Sequence, residues 1–168
     1  GDKVYGVDVS SLEEVVFSLL KEKNMTIGVA ESCTGGLMSK RLTALSGVSA
    51  VFNGGIVSYT NGVKAGVLGV SQDLLDEYGA VSAQVAEAMA RGAKAVLGCD
   101  VAVSATGVAG PDSDDRGNPV GLVYLGLAYG DQCIVQEFHA GRGDRDRVRR
   151  MAAGTALDMV RRHLTGKL

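Results

Sequence analysis

Residues 26–45, TIGVAESCTGGLMSKRLTAL, decide how this chain folds. Residues 26–30 are short and apolar without alternation, which predicts a strand buried on both faces. Glu31 to Gly36 is polar and ends in two glycines, which predicts a turn. Residues 37–45 then read as a helix, with Gly47 closing it as a left-handed cap. Strand, turn and helix in that order set the pattern for the rest of the chain.

Upstream, Ser10 or Ser11 followed by Glu13 and Glu14 marks a helix start. Leu12, Val15, Val16, Leu19 and Leu20 fall at helical spacing, and the helix is expected to end near Lys23-Asn24. Downstream, residues 51–59 have strand character, interrupted at Gly54-Gly55 by a bulge or a close backbone neighbour. Residues 60–68 form a partly helical connection. Ser71 caps a short helix containing Leu74 and Leu75. Ser82 starts another through Ala86, Met89, Ala93 and Val96. Residues 101–105 form a second short strand, and 106–119 a long polar loop. Strands over 120–129 and 133–138 are joined by Gly130-Asp131, a hairpin signal. A last helix spans 145–164, with Val148, Met151, Ala152, Thr155, Ala156, Met159 and Val160 on one face. Helices that alternate with strands, followed by a hairpin, predict an α/β fold: a three-layer α/β/α single domain with a mixed sheet over residues 1–168.

Length and composition agree: 168 residues with 46% hydrophobic content suit one compact core. No apolar run approaches the ~20 residues of a membrane span, and the start lacks the pattern of a signal peptide, so cytoplasmic residence is the expectation. The start at Gly1 suggests a processed product or a domain of a longer chain. A formal net charge of -2 argues against nucleic-acid binding as the main task. Cys33, Cys99 and Cys133 are widely spaced and form no CxxC pair, which disfavours a disulfide framework or a zinc site.

Three polar segments each follow an apolar strand: Glu31-Ser32-Cys33-Thr34-Gly35-Gly36, then Ser58-Tyr59-Thr60-Asn61 with Lys64, then Thr106-Gly107-Val108-Ala109-Gly110-Pro111. Ligands of open α/β sheets settle beyond the carboxyl ends of strands, so these segments are expected to converge. A serine at such a turn can attack a carbonyl while backbone N–H groups stabilise the oxyanion. Equally, Ser32 or Thr34 can simply cap the following helix. Cys33 is a rival nucleophile, since neighbours along a strand end face different ways. Neither His139 nor His163 lies in these loops. Lys64 is therefore the candidate base, because desolvation lets a lysine lose its proton near neutral pH; otherwise it is an ordinary surface lysine. Tyr59 is a candidate relay or a packed strand aromatic. Thr106 offers a hydroxyl to a reacting carbonyl or belongs to a structural turn. Asp112, Asp114 and Asp115 read as a solvated loop tip more readily than as a metal site. Arg145 and Arg149 share a helix face and can clamp a phosphate or pair with acidic neighbours.

Together, residues 30–36, Tyr59 through Asn61 to Lys64, residues 106–111, Pro119-Val120-Gly121, and Gly143-Asp144-Arg145 with Val148-Arg149 resemble the C-terminal domain of the competence/damage-inducible CinA family. The resemblance covers residues 4–164. That family includes stand-alone nicotinamide mononucleotide deamidases. The resemblance therefore implies conversion of nicotinamide mononucleotide to nicotinic acid mononucleotide and ammonia, a step of pyridine nucleotide salvage. Ser32 matches the family's nucleophile, and Tyr59, Lys64 and Thr106 match polar residues of the same pocket. We assign Lys64 as base, Tyr59 as relay or orienter and Thr106 as polarising donor. Glu31, Thr34, Gly35, Gly36, Asn61, Gly107, Gly110, Arg145 and Arg149 are expected to bind the substrate. No metal, cofactor, nucleic acid or membrane is expected; a homo-oligomer is. Val4-Tyr5-Gly6 resembles the junction that, in two-domain members, follows a domain similar to molybdopterin-binding proteins. Two stretches depart from the family pattern, Asp112-Ser113-Asp114-Asp115 and the longer run from Phe138 to Gly143. They leave open a non-catalytic nucleotide-binding or regulatory domain, and an assembly domain, as alternatives.

Overall fold

The structure, a computed structural model, describes residues 11–141 and 143–168. The expectations that fall on Val4-Tyr5-Gly6, Ser10 and Arg142 lie outside the described residues. Five strands form one mixed sheet: β1 (Ile27–Glu31), β2 (Phe52–Val57), β3 (Val101–Gly107), β4 (Leu122–Tyr129) and β5 (Gln132–His139). Their order is β2-β1-β3-β4-β5. β1 is parallel to β2 and β3, and β4 runs antiparallel to both β3 and β5. The helices are α1 (Leu12–Lys23), α2 (Leu37–Thr43), α3 (Asn61–Gly66), α4 (Gln72–Tyr78), α5 (Ala83–Leu97) and α6 (Arg145–Leu164).

Two apolar cores flank the sheet, as a three-layer arrangement requires. On one side, Ile27, Val29, Val101, Val103, Val123, Leu125 and Leu127 pack against α1, α2 and α6. On the other, Ala30 and Ala102 meet Leu75, Val85, Met89 and Ala93 of α4 and α5. This second face is built of small residues so that α5 can approach closely. A Cβ at Gly126 would stand 2.6 Å from the Ala86 carbonyl oxygen, and Ser104 Oγ donates to that same oxygen at 2.6 Å.

The helix starts follow the local chemistry. Ser11, Ser71, Ser82 and Asp144 each accept a hydrogen bond from the amide three residues on, the usual satisfaction of an orphan N–H. The interruption at Gly54-Gly55 has two causes. The β1–β2 register shifts so that Asn53 is the extra residue, and a Cβ at Gly55 would fall 2.1 Å from Ser39 Oγ of α2. Two expectations need correction. Gly47 does not close the second helix: α2 ends at Thr43 with Ala44 as its cap, and Gly47 instead opens the short 3-10 turn Val48–Ala50. Met151 is exposed and Thr155 half-buried, while Ala153 and Leu157 carry the packing of α6. Val96 is exposed.

The topology locates the crevice. From β1 the chain steps through α2 to the edge strand β2, then returns past β1 to β3 on its other side. Beyond the carboxyl ends of β1 and β3 the chain thus leaves in opposite directions, the place where open α/β sheets bind ligands. Among the described residues, no helix is long and apolar enough to cross a membrane.

Candidate active site

Ser32 is the first residue past β1, and its amide continues the ladder by donating to Ala105 of β3 at 3.0 Å. That bond fixes the side chain over the crevice. Lys64 arrives on α3, which follows β2 and whose N-cap Thr60 accepts from Val63. The lysine is 1% exposed. Its Nζ lies 3.0 Å from Ser32 Oγ, 2.8 Å from the Ser58 carbonyl oxygen and 3.4 Å from that of Tyr59. Burial pulls its pKa down to about 8, opposed by the charge interaction with Cys33.

The count of partners matters. A neutral amine has two N–H donors and one lone pair. Ser58 and Tyr59 carbonyls take the two N–H groups, which leaves the lone pair for the Ser32 hydroxyl proton. The ammonium form has a third N–H, and Ser32 Oγ then accepts it. The same three oxygens therefore satisfy lysine in both protonation states, and a proton can move between Oγ and Nζ without rearranging either residue.

Cys33 borders the same cavity, but it is only 5% exposed. It packs in the core shared with α1, α2 and α6, and burial pushes its thiol up to about 12. A thiol so placed is not a thiolate at neutral pH, and it is the Ser32 hydroxyl, not the Cys33 thiol, that meets Lys64 Nζ. Ser32, Tyr59, Lys64, Thr106, Gly107 and Arg145 line a cavity of about 260 Å³, together with Cys33, Ala80, Val81 and Ala109. All four residues assigned catalytic roles thus come together, along with Gly107 and Arg145 of the binding set.

Other members of that set hold the site without lining it. Glu31 is fully buried. Its carboxylate accepts from the Met38 and Ser39 amides at 2.8 and 3.0 Å and from Ser39 Oγ at 2.7 Å. Glu31 is thus a cap for α2, and its own negative charge occupies the helix end expected to stabilise an oxyanion. Arg149 donates through Nε to the Cys33 carbonyl at 3.1 Å and through Nη2 to that of Thr34 at 3.2 Å. It clamps the turn, and of the two arginines expected to bind phosphate only Arg145 lines the cavity. Gly35 sits at φ +58, where a side chain is strained, and a Cβ there would press on the end of the Arg149 side chain at 2.8 Å from Nη2. Thr34 is buried with its hydroxyl unpartnered among the described residues. Gly36 is the left-handed N-cap of α2, and Asn61 is exposed on the first turn of α3. Gly110 contributes its carbonyl to Arg145 Nη1 at 2.6 Å.

One role assignment narrows and another changes. The Tyr59 hydroxyl accepts from Arg145 Nη2 at 2.8 Å, whereas it is the Tyr59 backbone that touches Lys64; of relay or orienter, these contacts favour the second. Thr106 Oγ1 donates to the Ala80 carbonyl at 2.7 Å, so its proton is already committed. Sequence reasoning missed Ala80 and Val81 altogether, because two small residues between helices carry no signal of type or spacing. The acidic loop is self-contained: Asp114 accepts from the Arg116 and Asn118 amides and from Asn118 Nδ2. The amides of Cys33 and Thr34, by contrast, donate to no acceptor among the described residues.

Comparison with known proteins agrees with this architecture. Residues 9–164 match the family described as the CinA C-terminal domain. A CinA-like protein of Dictyoglomus turgidum is 49% identical over 98% of this chain and 40% of its own length. A putative competence-damage inducible protein of Thermoanaerobacter sp. is 45% identical over 99% of this chain and 40% of its own. The chain thus spans about two fifths of these relatives. The solved structure of the competence/damage inducible protein CihA from Agrobacterium tumefaciens superposes with a TM-score of 0.86 at 35% identity, covering 95% of this chain and 99% of that one. A CinA superfamily protein of Klebsiella pneumoniae gives a TM-score of 0.88 at 28% identity, covering 94% and 99%. With nearly its whole length matched, the chain belongs to the CinA C-terminal domain family.

Proposed function

We propose that this chain is an amidohydrolase that converts nicotinamide mononucleotide to nicotinic acid mononucleotide and ammonia, with Ser32 as nucleophile and Lys64 as base. The observation that carries the reading is the 3.0 Å approach of Lys64 Nζ to Ser32 Oγ, with both carbonyls of Ser58 and Tyr59 on the same nitrogen. Neutral Lys64 takes the Ser32 proton as Oγ attacks the carboxamide carbon. The tetrahedral oxyanion accepts from the uncommitted amides of Cys33 and Thr34. The Lys64 ammonium then gives its proton to the leaving nitrogen, ammonia departs and an ester to Ser32 remains. Water, deprotonated by the again neutral Lys64, cleaves that ester to the acid and regenerates the serine.

A cavity of about 260 Å³ is smaller than the ~300–1,000 Å³ that enclose a drug-sized ligand. It takes the aromatic amide, and the ribose phosphate extends past the mouth. Arg145 stands there with guanidinium N–H donors beyond the two that hold Gly110 and Tyr59. Homo-oligomerisation, and linkage to a further domain in a longer chain, belong to this reading as expectations. Ammonia release from nicotinamide mononucleotide by the purified chain is the test. Ser32→Ala and Lys64→Ala are each expected to lower kcat at least ~1,000-fold. Wild-type turnover in Ser32→Ala would remove the nucleophile from this account.

A further inference from the structure

We infer that Thr106 selects an amide over the corresponding acid by presenting the reacting group with a hydrogen-bond acceptor and no donor. The inference rests on the amidohydrolase reading and specifies how that site tells substrate from product. Thr106 is 1% exposed, and its hydroxyl proton is spent on the Ala80 carbonyl at 2.7 Å. A hydroxyl has one proton and two lone pairs, so only acceptor capacity remains. Among the described residues no other side chain or amide donates to the Ala80 carbonyl. Turning the proton toward a ligand would therefore strand that oxygen, at the cost of an unmade hydrogen bond.

Register puts this oxygen beside the chemistry. Glu31 is opposite Ala105 in the β1–β3 ladder, and the Ser32 amide bonds to the Ala105 carbonyl. Ser32 and Thr106 are thus the next pair along, about 5 Å apart across neighbouring strands and on the same face. Both line the cavity. A carboxamide whose carbon lies within reach of Ser32 Oγ brings its NH₂ within reach of Thr106, and one N–H donates to Oγ1. A carboxylate has oxygens in both positions and nothing to donate. It meets lone pair against lone pair. The product acid is held less tightly than the amide, which favours its release.

The experiment uses the Ser32→Ala chain, which binds without turning over, titrated calorimetrically with nicotinamide mononucleotide and with nicotinic acid mononucleotide. The amide is expected to bind more tightly. Adding Thr106→Val, which keeps the shape and removes the hydroxyl, is expected to narrow the amide-to-acid affinity ratio about tenfold; Thr106→Ser is expected to preserve it. Thr106→Cys, with a weak acceptor, is expected to narrow the ratio as valine does and serves if the valine variant does not fold. Equal loss of both affinities would mean that Thr106 only props the Ala80 wall, and a ratio that widens would mean that it donates; either overturns the inference. Failure of both nucleotides to bind Ser32→Ala would instead remove the proposed function, and this inference with it.

Discussion

Lys64 is the residue on which the most physical chemistry converges. Its pKa of about 8 is set by burial, and a base must be neutral to act. We therefore expect kcat/KM to rise with pH through about 8 and then level, as measured by initial rates of ammonia release in a buffer series. The same shift has a cost in stability. The folded pKa lies below the ordinary 10.5, so the unfolded chain binds the extra proton between about pH 8 and 10.5. Stability rises with pH across that window, and below about pH 8 the folded state bears the full penalty of the buried charge. Lys64→Met lacks the titration. Relative to this variant, the wild type is expected to gain up to about 3 kcal/mol in unfolding free energy between pH 7 and 10.5. Parallel denaturant curves across that range would exclude a buried titrating lysine.

At the scale of the element, the turn between β1 and α2 depends on Glu31. Glutamine at this position retains one carbonyl oxygen but turns an NH₂ group toward donors that need acceptors. Glu31→Gln is expected to lower stability by about 1–3 kcal/mol, read as a fall in Tm. On the other face, Gly126→Ala would push a methyl into the Ala86 carbonyl of α5, with Ser104 Oγ also only 2.7 Å away. Overpacking of this kind is expected to cost about 1–3 kcal/mol, and unchanged stability would show that α5 is free to move off the sheet. These two positions also mark where sequence reading reaches its limit. Caps at Ser11, Ser71 and Ser82 and the Gly130-Asp131 hairpin were legible because their partners lie two to four residues away. The convergence of Ser32, Lys64 and Thr106 was legible because each follows a strand. The capping role of Glu31, the Arg149 clamp and the Ala80 wall were not. Their partners lie far along the chain or carry no polar side chain, and only the packed fold decides which carbonyl each one meets.

Across the whole molecule, the Ser32–Lys64 pair joins the two helical layers. Ser32 sits on a turn held from the α2 and α6 side, by Glu31 through α2 and by Arg149 from α6. Lys64 rides on α3, ahead of the segment Leu68–Val70 that packs with α4 and α5 on the opposite side of the sheet. The 3.0 Å contact between them thus depends on how firmly both layers are seated. Arg149 tests this because it touches the turn's carbonyls and lines no part of the cavity. Arg149→Met keeps the aliphatic stem and removes both bonds, so the Cys33 and Thr34 peptides are free to tilt. A displacement of about 1 Å in a reacting group costs on the order of 100-fold in rate. We expect Arg149→Met to lower kcat tenfold or more with KM changed less than threefold. Arg145→Ala, which strips the mouth of its guanidinium, is expected to raise KM more than it lowers kcat. Steady-state kinetics on the two variants distinguishes them. If Arg149→Met instead changed KM alone, the residue would be reaching the substrate's phosphate, and the turn would owe its geometry to Glu31 and the β1–β3 ladder without help from α6.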